Sequence, residues 1–254
     1  MNIAFSKMHG LGNDFVVIDA ISQTFPVTSD WIKRIANRHV GVGCDQVLLI
    51  TKTERPDVDF GYRIFNADGG EVFQCGNGAR CVGLFIRDKQ LSNQSQITLA
   101  TRQSVLSVRV LDHHQVQVTI NPPRFDAADI VDVGNPHRVF IVDSIVPSAV
   151  IAMGEQLNHD PLFPEGINVG FMKIRSSNEI DLLVFERGVG ITQACGSGAC
   201  AAVAIGRQQK KLDACVLVHQ AGGDLQITWP SLQAPLQMTG PATWVFDGIF
   251  HCSF

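Results

Sequence analysis

Residues 74–81 read QCGNGARC and residues 194–201 read ACGSGACA. Both contain Cys-Gly-x-Gly-Ala, and Cys75 and Cys195 lie 120 positions apart. Glycines let the backbone turn tightly, and the residues after each phrase have helical spacing. They are Ala79, Cys81, Val82, Leu84, Phe85 and Ile86 in the first half, and Ala199 to Ile205, without a polar residue, in the second. Helices apolar almost all round belong inside a domain, covered on every side. Before each phrase lies a period-two segment that predicts a half-buried strand. Val58, Phe60, Tyr62 and Ile64 form one, and Ile180, Leu182 and Val184 the other.

The same offset aligns Phe65-Asn66 with Phe185-Glu186 and Gly70 with Gly190, and a looser echo joins GNDFVVID (12–19) to GNPHRVFIVD (134–143). Two echoes in one order point to an internal duplication. Further strands are expected at Phe15–Asp19, Gln46–Thr51, Ile97–Thr101, Val105–Val110 and Val116–Ile120. The second half should add Arg138–Asp143, Asn168–Ile174, Val216–His219, Leu225–Trp229 and Thr243–Phe246. Each half also shows one amphipathic helix: Ser29 can cap Trp31, Ile32, Ile35 and Ala36, and Pro147 can open Val150, Ile151 and Met153. The expected fold class is α/β in the α+β sense. It has two pseudo-symmetric domains, each a curved, largely antiparallel sheet around a central buried helix. Asn121-Pro122-Pro123 ends a strand and sets the boundary, giving domains 1–121 and 122–242, with 243–254 returning to the first as a strand.

The chain has 254 residues, 45% hydrophobic and 17% charged, which suits two folded domains rather than disorder. A net charge of −4 without a block of like charges offers neither a nucleic-acid surface nor a polybasic membrane patch. No apolar run approaches the ~18 residues of a membrane helix. The opening MNIAFSKMHG lacks the plan of a secretory signal, so the cytoplasm is the expected location. Seven cysteines, an odd number without a C-x-x-C pair, argue against a disulfide framework and a zinc site. Cys44, Cys81, Cys200, Cys215 and Cys252 read as packing residues.

A cysteine at a helix start has particular chemistry. The first backbone N–H groups of a helix lack internal partners and sit at the positive end of its dipole. They suit a carboxylate, and the same field favours thiolate over thiol. Pairing the halves about a pseudo-two-fold axis would bring both helix starts to one point, with a sulfur on each side of a bound carboxylate. One sulfur could then remove the proton beside that carboxylate while the other returns one to the opposite face. The two would titrate as a coupled pair, one thiolate and one thiol.

FSKMHGLGNDFVVID (5–19), ANRHVGVGCDQ (36–46), FNADGGEVFQCGNGARC (65–81), GNPH (134–137), NVGFM (168–172), ERGVGITQACGSGACAA (186–202) and MTG (238–240) together resemble the diaminopimelate epimerase family. The resemblance implies an isomerase that needs no cofactor and no metal. Its substrate would be a small diamino dicarboxylic acid, LL- or meso-2,6-diaminopimelate, used in lysine and cell-wall precursor synthesis, and its usual assembly a homodimer. It implies that Cys75 and Cys195 are the acid/base pair and that Gly76, Asn77, Gly196 and Ser197 hold the reacting carboxylate. Asn66 and Glu186 would take the reacting ammonium, while Asn13, Gln46, Asn135, Asn168 and Arg187 grip the distal head. His137 would stand just behind one cysteine. The span Arg124–Asp132 is much shorter than the family's usual connection, which predicts a lost strand or two or a missing stretch. Three other readings stay open: a proline racemase-type enzyme, whose members usually carry histidine where Asn77 stands, a thiol redox switch, and a module that only binds an amino acid, which would need no second cysteine.

Overall fold

The computed structural model describes residues 2–72, 75–112 and 114–251; Cys252 and the last two residues of the expected returning strand lie outside them. The chain divides into two compact units, Met1–Val118 with Gly240–Phe254, and Thr119–Thr239. The first contains β1 (Asn2–Gly10), β2 (Asn13–Asp19), α1 (Ser29–Ala36), β3 (Gln46–Thr51), β4 (Phe60–Asn66), β5 (Glu71–Val72), α2 (Gly76–Asp88), β6 (Gln96–Ala100) and β7 (Val105–Val110). The chain passes to the second unit within β8 (Gln115–Ile120). There follow β9 (Arg124–Phe125), β10 (Ile130–Asp132), β11 (Pro136–Ile141), α3 (Pro147–Asn158), β12 (Asn168–Ser176), β13 (Glu179–Glu186) and β14 (Gly190–Ile191). Next come α4 (Gly196–Gln208), β15 (Cys215–Gln220) and β16 (Gly223–Thr228). The chain returns within β17 (Leu236–Pro241), and β18 (Thr243–His251) completes the first unit.

Both units follow one plan. In the first, the strands run β18-β1-β2-β3-β4-β6-β7, with β5 as a short partner of β4. In the second they run β9-β10-β11-β12-β13-β15-β16-β17, with β14 on β13. Most pairs are antiparallel. The parallel ones are β2 with β3 and β4 with β6, then β11 with β12 and β13 with β15. Parallel neighbours need a crossover, and each of the four helices supplies one. The duplicated phrase therefore marks a duplicated crossover helix: α2 and α4 are each 13 residues long and keep the offset of 120.

Burial explains the apolar runs. Val16, Ile18, Val47 and Leu49 pack with Trp31, Ile32 and Ile35 of α1 on one face of the first sheet. The alternate residues Phe15, Val17, Leu48 and Ile50 are just as buried on the face that carries α2. Strands covered on both sides lose the polar alternation of a surface sheet. Helix α2 touches β1, β2, β3 and β7, so strands from well apart in the sheet reach it and the sheet curls round it. Its residues Asn77 to Ile86 are buried, including Arg80. Helix α4 lies against β10, β11, β12, β13 and β16, with Ala199 to Gly206 buried throughout.

Several local expectations change. The cap of α1 is Thr28, whose hydroxyl accepts from Trp31 N–H at 3.2 Å; Ser29 is already inside the helix. Pro147 does open α3, but Ile151 points outward, and Gly154 and Leu157 complete the buried face instead. Strand β1 escaped the sequence reading because both of its faces are covered, Ile3 and Phe5 on one and Ser6 and Met8 on the other, so its apolar residues do not alternate. In the short Arg124–Asp132 span, β9 and β10 still pair, with Val131 opposite Phe125.

Thr28→Ala should lower stability by about 1 kcal/mol, while Ser29→Ala stays within about 0.5 kcal/mol of the parent, read from urea denaturation midpoints.

Candidate active site

In the first unit the chain leaves β4 and β5 and enters α2 at Gly76. Cys75 is the extended residue before the helix, with φ −152°, and its Sγ accepts the Gly78 N–H at 3.2 Å. The second glycine of the phrase has a steric cause. A Cβ on Gly78 would collide with the Tyr62 hydroxyl and lie 3.3 Å from the sulfur. Tyr62, fully buried, donates to the Cys75 carbonyl at 3.4 Å. Asn13, at the start of β2, places Oδ1 3.9 Å from Cys75 Sγ and accepts from Asn77 Nδ2 at 3.4 Å. Its own Nδ2 donates to Asp45 at 2.9 Å. Gln46 and Asn66 sit opposite each other on β3 and β4, joined by a 2.8 Å amide hydrogen bond. Asn13, Cys75 and Asn77 thus form one group, with the Gln46–Asn66 pair on neighbouring strands.

The second unit repeats the arrangement with other side chains. Cys195, with φ −116°, accepts the Gly198 N–H on its sulfur at 3.3 Å. A Cβ on Gly198 would stand 2.7 Å from Val184 and 3.2 Å from that sulfur. The Cys195 N–H donates to Gln220 Oε1 at 2.7 Å. Ser197 Oγ lies 3.5 Å from the sulfur and 3.0 Å from His137 Nε2. That nitrogen is also 3.2 Å from Asn135 Oδ1 and 3.5 Å from Asn168 Nδ2. Asn168 Oδ1 accepts the Arg187 N–H at 3.0 Å, and Glu186 accepts the Thr192 hydroxyl at 2.6 Å. Asn135, His137, Asn168, Arg187, Cys195 and Ser197 are therefore one hydrogen-bonded network, beginning at the ends of β11, β12 and β13. The Arg187 guanidinium donates to the Glu165 carbonyl at 2.9 Å.

The electrostatics correct one expectation. Helix position alone argues for a thiolate, yet burial pushes the Cys195 thiol well above its ordinary value, and the Glu186 carboxylate adds to the rise. The Ser197 hydroxyl and Gly198 N–H pull the other way and lose. Burial, helped by the charge of Arg187, lowers His137 to about 3, so its imidazole is neutral at physiological pH. Its Nδ1 is buried and makes no hydrogen bond among the described residues. Cys44 and Cys81 are pushed up to about 12 by burial, as packing thiols should be, and Cys200 is buried too. Cys215 departs from the packing reading: it is exposed on β15.

Four participants escaped the sequence reading: Tyr62, Asp45, Thr192 and Gln220. Asp45 and Thr192 stand inside motifs already singled out. Gln220 reaches Cys195 from a strand 25 residues away, and nothing local marks it. Among the described residues no cluster of three or more His, Cys, Asp or Glu side chains is placed to hold a metal ion. No described helix is long and apolar enough to cross a membrane.

Two repeated units, each a curled sheet round a buried helix, make a fold that solved structures share. A hydroxyproline epimerase from Agrobacterium vitis matches with a TM-score of 0.73 at 13% identity, over 98% of this chain and 92% of the other. A phenazine biosynthesis protein of the PhzF family from Bacillus anthracis gives 0.72 at 15% identity, over 98% and 99%. The family model for diaminopimelate epimerase matches residues 5–125 and 130–245. The diaminopimelate epimerases of Teredinibacter turnerae and Legionella pneumophila are 46% and 43% identical, each over 98% of this chain and 99% of its own length. The chain belongs to the diaminopimelate epimerase family. Those alignments run to 272 and 273 positions, more than the 254 residues here, so the relatives carry extra residues. The family match pauses between 125 and 130, in the β9–β10 link.

The raised Cys195 thiol stays protonated at neutral pH and ionises only in alkali. Glu186→Gln removes one cause of the rise. Methanethiosulfonate labelling of Cys195, followed by mass spectrometry across pH, should run several-fold faster at neutral pH in that variant, with its curve displaced toward lower pH.

Proposed function

We propose that the protein interconverts LL- and meso-2,6-diaminopimelate without a cofactor, Cys75 and Cys195 exchanging a proton at the α-carbon. The observation that carries this reading is the duplicated helix start: in a chain of this family, each unit presents one sulfur at the head of a buried helix. Inversion needs a base on one face of the carbon and an acid on the other, and each unit supplies one. The proton leaving carbon is taken by one sulfur. The other sulfur gives its proton to the opposite face, and the roles exchange when the reaction reverses.

Backbone N–H groups at Gly76, Asn77, Gly196 and Ser197 hold the reacting carboxylate. Placed donors of this kind are worth about 3–4 kcal/mol each where negative charge develops. Asn66 and Glu186 hold the reacting ammonium, and its charge favours loss of the adjacent proton. An ammonium on Glu186 also neutralises the carboxylate that raises the Cys195 thiol, so binding itself favours the thiolate there. Asn13, Gln46, Asn135, Asn168 and Arg187 take the distal head, where amides match an amino group and the guanidinium matches a carboxylate. Neutral His137, within hydrogen-bond reach of Ser197, fixes the hydroxyl beside Cys195.

The enzyme acts in the cytoplasm as a homodimer. The exposed Val245, Phe246 and Ile249 on β18 support that assembly, since exposed apolar side chains suit a partner surface.

Cys75→Ala and Cys195→Ala should each lose more than ~10³-fold of inversion, followed by α-proton exchange in heavy water. Full inversion by either variant overturns the two-base assignment. Racemisation of proline by the parent enzyme would instead favour the proline racemase-type reading.

A further inference from the structure

Four side chains of the first unit form a hydrogen-bonded line whose direction is fixed at both ends. Arg80 Nη2 donates to Asn77 Oδ1 at 3.0 Å. Asn77 Nδ2 donates to Asn13 Oδ1 at 3.4 Å, and Asn13 Nδ2 donates to Asp45 Oδ2 at 2.9 Å. An amide can turn end for end, but a guanidinium only donates and a carboxylate only accepts. Turning Asn77 would set its NH2 against Arg80. Turning Asn13 would set its oxygen against the Asp45 carboxylate. Both amides therefore have one orientation, and it puts the Asn13 oxygen, not its NH2, toward Cys75 Sγ at 3.9 Å.

The two ends are themselves anchored. Arg80 is completely buried and also donates through Nε to the Pro241 carbonyl at 3.1 Å. Gly10 makes room for it, since a Cβ there would stand 3.0 Å from Arg80 Nη2. Asp45 accepts from Arg38 Nη2 at 2.8 Å on one oxygen and from the Asp14 N–H at 3.1 Å on the other, so donors face both oxygens. Tyr62 from β4 and Cys81 from α2 are ionisable groups near the sulfur.

We propose that Asp45 and Arg80 are positioning residues for Cys75: they orient the Asn13 amide so that its oxygen accepts from the thiol and holds Cys75 as the proton donor of the pair. An oxygen acceptor beside sulfur stabilises S–H and opposes the thiolate, whereas an NH2 in its place would do the reverse. The proposal rests on Cys75 being an acid/base residue. It also breaks the symmetry of the pair, since Cys195 faces a carboxylate that a substrate ammonium neutralises and Cys75 faces an amide held from behind.

The test is the rate of Cys75 alkylation by iodoacetamide against pH, read on its peptide by mass spectrometry. Asp45→Asn keeps size and shape but can donate, which leaves only the long 3.4 Å contact with Asn77 to hold Asn13 and lets its amide turn. Cys75 should then react roughly tenfold faster at pH 7, with the curve displaced to lower pH. Asp45→Ser, whose hydroxyl either donates or accepts, should move it the same way. Arg38→Gln loses the same ion pair but leaves the carboxylate as an acceptor, so it should keep the parent curve. A parent-like curve in folded Asp45→Asn and Asp45→Ser overturns the proposal, as does an equal displacement in Arg38→Gln. Inversion retained by Cys75→Ala would refute the acid/base reading, yet leave the alkylation curves to decide the amide orientation separately.

Discussion

The hydrogen bond from a glycine N–H to a cysteine sulfur, made once in each unit, is the contact on which the rest depends. It requires the cysteine to be extended, so the chain must arrive from a strand. It requires a glycine three residues on, because at Gly78 and Gly198 any Cβ would meet both the sulfur and a buried side chain. It leaves the N–H groups before that glycine outside the helical ladder, where an anion can use them. Behind it, the helix must be buried, since only a fixed helix holds a sulfur to a fraction of an ångström. Fold and chemistry are thus specified by the same few residues.

The backbone of the two units is repeated, but the charge is not. Asn66 in one corresponds to Glu186 in the other, and Asn77 corresponds to Ser197. The first sulfur is surrounded by amides. The second has a carboxylate, a hydroxyl and a neutral imidazole near it. Duplication supplies two equivalent mounts, and divergence gives the two sulfurs different surroundings.

Much of this was legible in the sequence because its signals are local. The repeated phrase, the all-apolar helices and the alternating strands each declare themselves within a dozen residues. What was hidden depends on residues brought together from far apart. Gln220 meets Cys195 from another strand, and Asp45 meets Asn13 from 32 residues away. The protonation of Cys195 is hidden for the same reason: the helix end is visible in the sequence, but the depth of burial and the approach of Glu186 are not. The cap of α1 shifted by one residue because Thr28 and Ser29 are both good caps, and only the entry angle of the chain chooses between them. Asn13, by contrast, was singled out through resemblance alone; its orientation needed the coordinates of Asp45 and Arg80.

Strand β1 lies between β2 and β18, so the sheet of the first unit joins the two ends of the described chain. During synthesis the second unit can complete its sheet and helices while β1 still lacks one neighbour. Until β18 emerges, the edge of β1 and the side chains of Ile3 and Phe5 near it stay open to other chains. The first unit is begun first and finished only after the second, so that edge stays open while the second unit is made.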